Sequence, residues 1–148
     1  MSWEDLCAEG PRVQLRPVRD DDAPVLEALS SAVERVHSGE SLVICRAGED
    51  DRPIGILEYA LGEPWDGWAS IRWVALVKAE RRWGLGQDAV RLFEEVAGRH
   101  GVRAFRTQVP VGLGLALYFW LRLGYRPHDI EGETQRSGTL YMVRGVAG

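Results

Sequence analysis

The sequence predicts a mixed α+β fold, a central twisted sheet of about six to seven strands flanked by helices. Three observations predict it. Short runs alternating apolar and polar residues recur along the 148-residue chain. Other segments repeat apolar residues at helical spacing. A strand–helix–strand succession falls in the middle, and such a crossover makes part of the sheet parallel.

The elements follow in order. "PRVQLRPV" (11–18) alternates Val13 and Leu15 with polar neighbours and is broken by Pro17, the pattern of a short edge strand. "DDDAPVLEALSSAVERV" starts on acidic residues, favourable at a helix N-terminus, and repeats Val25, Leu26, Leu29, Ala32, Val33 and Val36 at helical spacing. "SLVICRA", "IGILEYAL" and "ASIRWVALV" read as three further strands, separated by the turns "GEDDRP" and "GEPWDGW". The period then changes. "GLGQDAVRLFEEVAGRHG" sets Ala89, Phe93, Val96 and Ala97 on one helical face and stops at Gly101. "VRAFRTQV" is a strand and "VGLGLALYFWLRLG" a helix ending at Gly124. "YRPHDI" and "TLYMVRG" close the chain as strands around a polar loop.

Composition bounds the function. Hydrophobic residues make up 45% and charged residues 27%, which is ordinary for a globular domain. A single domain over 11–148 is expected, with 1–10 as an N-terminal extension. The net charge of −4 argues against nucleic acid as a partner. Two cysteines, Cys7 and Cys45, make no disulfide framework, and no Cys/His cluster has metal-ligand spacing. The start lacks a signal pattern, and the longest uncharged run, "TQVPVGLGLALYFWL", is short and broken by Pro110, Gly112 and Gly114. A cytoplasmic protein with no membrane partner and no metal is the expectation.

The stretch richest in chemistry is "ALVKAERRWGLGQDAV" (75–90), where a strand runs out into a turn and then a helix. Gly84 and Gly86 let backbone approach a ligand closely. A helix start offers unpaired N–H groups and the positive end of the dipole, an anion site suited to a pyrophosphate. The dinucleotide and Walker fingerprints do not fit, because the third glycine, the ribose-binding acid and the Gly-Lys-Ser/Thr are missing.

Arg81-x-x-Gly84-x-Gly86 between a strand and a helix resembles the acyl-CoA motif of the GNAT superfamily of N-acetyltransferases. The order of elements over roughly 12–145 is similar too. "ALYFWLRLGY" (116–125) resembles the second marker of that family through Ala116, Phe119, Leu123, Gly124 and Tyr125. The resemblance implies a sheet splayed between the fourth and fifth strands and acetyl-CoA as cofactor. It implies that Val74, Ala75 and Leu76 pair with the pantetheine arm, the Leu76 N–H facing the thioester carbonyl. It implies that Arg82, Trp83, Gly84, Leu85, Gly86 and Gln87 give backbone N–H groups to the pyrophosphate, with Arg81 opening the motif. Leu113 and Trp120 then fall beside the cofactor.

The chain departs from the family where protons move. Relatives keep a Glu, an Asn and a Tyr at the positions of Gln108, Leu113 and Trp120. None of the three present here can titrate usefully. Tyr118 lies about 200° around the helix from Trp120 and is a candidate acid only if that face turns inward. Glu58, in the third strand, is a candidate base if buried, and an ordinary outward-facing strand residue otherwise. His37 follows the first helix, near where relatives bind the acceptor, but a histidine there is more often a plain surface residue. Glu63, Trp65, Asp66 and Trp68 form an acidic-aromatic loop that either holds a cationic acceptor or simply packs as a turn.

Three functions remain open at this stage. The first is an acetyl-CoA-dependent N-acyltransferase in which a small-molecule or peptide amine attacks the thioester directly in a ternary complex. The second is a non-catalytic acyl-CoA-binding sensor, motivated by Gln108, Leu113 and Trp120. The third is an interaction module whose six tryptophans form partner surfaces. A homodimer is compatible with each.

Overall fold

The computed structural model describes residues 7–30, 40–48, 52–81, 84–128 and 138–145. The strands are β1 (Ala8–Glu9), β2 (Val13–Pro17), β3 (Glu40–Arg46), β4 (Arg52–Leu61), β5 (Trp68–Leu76), β6 (Ala104–Pro110), β7 (Arg126–Pro127) and β8 (Thr139–Gly145). The helices are α1 (Ala23–Ser30), α2 (Leu85–Arg99) and α3 (Gly114–Arg122). The sheet order is β1-β2-β3-β4-β5-β6-β8-β7. The strand beyond the expected count is β1, in the segment read as an extension. It pairs antiparallel with β2, and Ala8 is buried. The predicted first helix extends beyond Ser30 into residues outside the described set, as does His37.

The chain forms two compact units, Met1–Tyr59 with Trp73–Val96, and Ala60–Arg72 with Ala97–Gly148. β5 contributes its second half to the first unit and its first half to the second.

In the first unit, β2, β3 and β4 pair antiparallel, with Leu15 opposite Ile44 and Leu42 opposite Leu57. Leu42, Val43, Ile44 and Cys45 are all buried, so β3 is covered on both faces, as its continuous apolar run requires. α2 buries Leu85, Ala89 and Phe93, spaced one turn apart. The Phe93 ring meets Tyr59 of β4 at 5.0 Å. The Tyr59 hydroxyl donates to Glu40 Oε2 at 2.7 Å. Burial, more than that carboxylate, raises the phenol's pKa, so it stays protonated. Entry to α1 is set by Asp22. Arg16 grips its carboxylate with two 2.8 Å bonds, and the Arg19 N–H adds a third at 2.6 Å.

In the second unit, β6 runs parallel to β5 and antiparallel to β8, which lies between β6 and β7. The β5–β6 pairs run from Trp68↔Ala104 to Ile71↔Thr107. At the last pair the Thr107 hydroxyl donates to the Ile71 carbonyl at 2.9 Å, taking an acceptor that would otherwise serve the ladder. β5 continues to Leu76 and β6 to Pro110. α3 ends where Gly124 adopts φ +94°, and the Tyr125 N–H reaches back to the Trp120 carbonyl at 3.1 Å. Among the described residues no helix is long and apolar enough to cross a membrane.

Candidate active site

In the first unit, the residues read as an anion cradle and the Leu76 peptide lie at one helix start and one strand end. At Gly55 of β4, a Cβ would overlap the Ala75 carbonyl oxygen and come within 2.6 Å of Leu76 Cδ2. The Ala75 carbonyl therefore lies over the bare Cα of Gly55. In a trans peptide the C=O and the following N–H point in opposite directions. The Leu76 N–H is thus directed away from β4. The neighbours of this peptide are tied down. The Val77 N–H donates to the Ile54 carbonyl at 2.8 Å, and Arg81 Nε donates to the Leu76 carbonyl at 3.0 Å. Arg81 thus braces the strand end with its side chain. Val74 and Ala75 are partly exposed and Leu76 is buried.

A short turn, Lys78–Glu80, links β5 to the cradle. Glu80 is buried, and Arg46 and Arg52 each meet one of its carboxylate oxygens at 2.6 Å. These arginines anchor the turn to the β3–β4 hairpin. The cradle itself begins at Gly84, whose φ of +76° favours glycine. The first α2 bond runs from the Asp88 N–H to the Gly84 carbonyl. The N–H groups of Leu85, Gly86 and Gln87 precede any intrahelical partner. Arg12 lies beside Gly84. A Cβ on Gly84 would lie 3.3 Å from its guanidinium, which is held by Asp88 at 2.6 Å. A helix start and a glycine at positive φ are features that suit an anion such as a pyrophosphate. Arg82 and Trp83 lie outside the described residues.

Sequence reasoning missed Arg12, Gly55 and the Glu80 clamp. Their partners lie far away in the chain, 76 positions for Arg12–Asp88 and 34 for Arg46–Glu80. No local motif carries that signal.

Glu58 is buried on β4, opposite Ser41. Alternation sets its side chain on the face opposite Tyr59, hence away from α2. It is therefore no outward-facing strand residue.

In the second unit, α3 separates its two tyrosine and tryptophan candidates. Tyr118 is 58% exposed with the Arg122 guanidinium 5.7 Å from its ring centre, whereas Trp120 is 6% exposed. The Trp120 ring packs edge-on against Phe119 at 5.1 Å and Tyr125 at 4.9 Å. Leu113 and Gln108 are exposed. The 63–68 loop is closed on itself. Glu63 is bound by Arg72 Nη2 through both carboxylate oxygens, and the Trp65 and Trp68 rings meet edge-to-face at 5.3 Å. The Glu63 charge is thus already matched within the protein. Among the described residues no group of three His, Cys, Asp or Glu side chains is placed to hold a metal ion.

Comparisons with known proteins bear on the family and the fold. The model of the acetyltransferase (GNAT) family matches residues 3–125. An acetyltransferase from Thermus thermophilus superposes with a TM-score of 0.69 at 20% identity, covering 91% of this chain and 97% of its own. A GCN5-related N-acetyltransferase from Brucella melitensis gives 0.74 at 14%, covering 96% and 79%. The PaiA N-acetyltransferase from Thermoplasma acidophilum, solved in complex with coenzyme A, gives 0.66 at 12%, covering 90% and 98%. No curated protein matches by sequence. The chain belongs to the GNAT acetyltransferase family.

Proposed function

We propose that this chain is an acetyl-CoA-dependent N-acyltransferase that moves an acetyl group to a primary amine by direct attack in a ternary complex. The observation that carries the reading is the aimed Leu76 peptide joined by one braced turn to the Gly84 helix start. Acetyl-CoA, when bound, supplies an activated acetyl thioester. Leu85, Gly86 and Gln87 hold its pyrophosphate through backbone N–H groups. Val74 and Ala75 lie along the pantetheine arm. The Leu76 N–H donates to the oxygen on which negative charge develops, an interaction usually among the largest in acyl transfer.

Proton transfer has fewer candidates. Trp120 is a packing group, and Gln108 offers only an amide. Glu58 is the candidate base, buried and within the same unit as Leu76. No acid is required for the thiol to leave, because a thiol of pKa about 8.5 departs as thiolate at modest cost. An absent acid is worth about 10²–10⁴-fold in rate, so a slow enzyme is expected.

The sensor reading is favoured by one observation, the lack of a titratable group at Gln108, Leu113 and Trp120. Thiol release from acetyl-CoA over a panel of amines separates the two. Amine-dependent release supports the enzyme. Tight binding without release over the whole panel supports the sensor.

A further inference from the structure

We propose that Glu80 is a positioning residue, a carboxylate clamped between Arg46 and Arg52 that fixes the Leu76 peptide relative to the Gly84 cradle. The proposal rests on the acyltransferase reading above and says how one site receives both ends of an acyl-CoA. Every residue it uses belongs to the first unit.

The clamp begins with an unfavourable pair. Arg46 of β3 and Arg52 of β4 stand directly opposite each other in the hairpin register. Directly opposite side chains share a face and lie close, so two like charges there repel. Glu80 resolves the repulsion. It enters from the turn after β5, is buried, and gives one carboxylate oxygen to each guanidinium at 2.6 Å. A buried ion pair is a poor way to gain stability, since apolar residues of similar volume often do as well. What a two-armed pair adds is direction, because the carboxylate must sit between two guanidiniums at once.

The turn held in this way joins the two halves of the site. On its strand side, the Val77 N–H donates to the Ile54 carbonyl at 2.8 Å, and the Glu80 N–H donates to the Val77 carbonyl at 2.9 Å. Arg81, next in the chain, returns its Nε to the Leu76 carbonyl at 3.0 Å. The end of β3 also reaches the cradle. Ala47, beside Arg46, donates its N–H to the Arg12 carbonyl at 3.0 Å. The Arg12 side chain in turn binds Asp88 in the first turn of α2. Arg46 and Ala47 thus tie one hairpin to the Leu76 peptide and to the helix start. A ligand long enough to span both meets them at a set separation, which makes the second contact intramolecular.

Isothermal titration of the full chain tests this with two ligands. One is acetyl-CoA. The other is its nucleotide half, 3′-phospho-ADP, which carries the pyrophosphate and no thioester arm. In Glu80→Gln the Kd for 3′-phospho-ADP should stay within about twofold, while that for acetyl-CoA should rise about 10- to 100-fold, as the two contacts lose their common frame. Glu80→Asp should recover part of that loss. Arg52→Gln removes the more exposed arm, keeps the bond between Arg46 and Glu80, and should show the same split at about three- to tenfold. It decides the matter should Glu80→Gln fail to fold. Equal losses for the two ligands would make Glu80 a general support of the cradle, and unchanged affinity for both would leave the clamp without a role. Either result would overturn the proposal. So would a nucleotide half that does not bind the wild-type chain when acetyl-CoA does. A wild-type chain that fails to bind acetyl-CoA would instead overturn the acyltransferase reading itself.

Discussion

At the scale of single residues, two side chains show how burial decides a role. Trp120 stands where relatives keep a proton donor, yet its ring is wedged between Phe119 and Tyr125. Its contribution is packing. Trp120→Ala should cost about 3–5 kcal/mol in denaturant unfolding. Trp120→Tyr should lower the melting temperature without raising the rate of thiol release. Asp22 is the second case. The bonds from Arg16, chiefly, hold its carboxyl below the usual range, with the Arg19 N–H adding to the effect. A depressed folded-state pKa means stability that is present above the unfolded value, about 3.9, and lost as pH falls through the folded value. Asp22→Asn leaves Arg16 buried without its counter-charge and should cost about 3–5 kcal/mol at pH 7. The stability gap between the two proteins should begin to close as pH falls below about 4 and go on closing as pH falls through the folded-state value.

At the scale of elements, most of the fold was legible. Six of the expected strands and two of the expected helices fall within a few residues of their places, because alternation and helical spacing are strong local signals, while the expected ends of the first helix and of the strand at 125–130 lie outside the described residues. β1 was not legible, since a two-residue strand has no period to read. Nor was the insertion of β8 between β6 and β7, which is a matter of pairing and not of pattern. The site divides in the same way. Gly84, Leu85 and Gly86 announce themselves as a motif. Gly55 does not, because its meaning comes from the Ala75 carbonyl above it. Gly55→Ala tests that meaning. The added methyl must push the end of β5 aside and turn the Leu76 N–H from its aim. The expected result is a fall in kcat of about 10²-fold, the size seen when one oxyanion donor is lost. KM for acetyl-CoA should change far less, since the Gly84 cradle is untouched. Equal losses in both would mean that the strand end merely shapes the binding site.

At the scale of the whole molecule, the proposed acyl-CoA site is a strand end and a helix start braced together. Arg46 and Arg52 on Glu80, Arg81 on the Leu76 carbonyl, and Arg12 on Asp88 each fix one side of that junction. A ligand seated there binds the folded chain and not the unfolded one. At a hundred times its Kd it should add about 2.7 kcal/mol of stability, seen as a rise in melting temperature. The most direct test is isothermal titration of acetyl-CoA into the wild-type chain and into Gly84→Val. A branched side chain at φ +76° strains the cradle's first residue and fills the approach to its N–H groups. Saturable one-to-one binding to the wild type is expected, and binding at least about tenfold weaker in the variant. Equal affinities, or no heat of binding in the wild type, would contradict the proposed site.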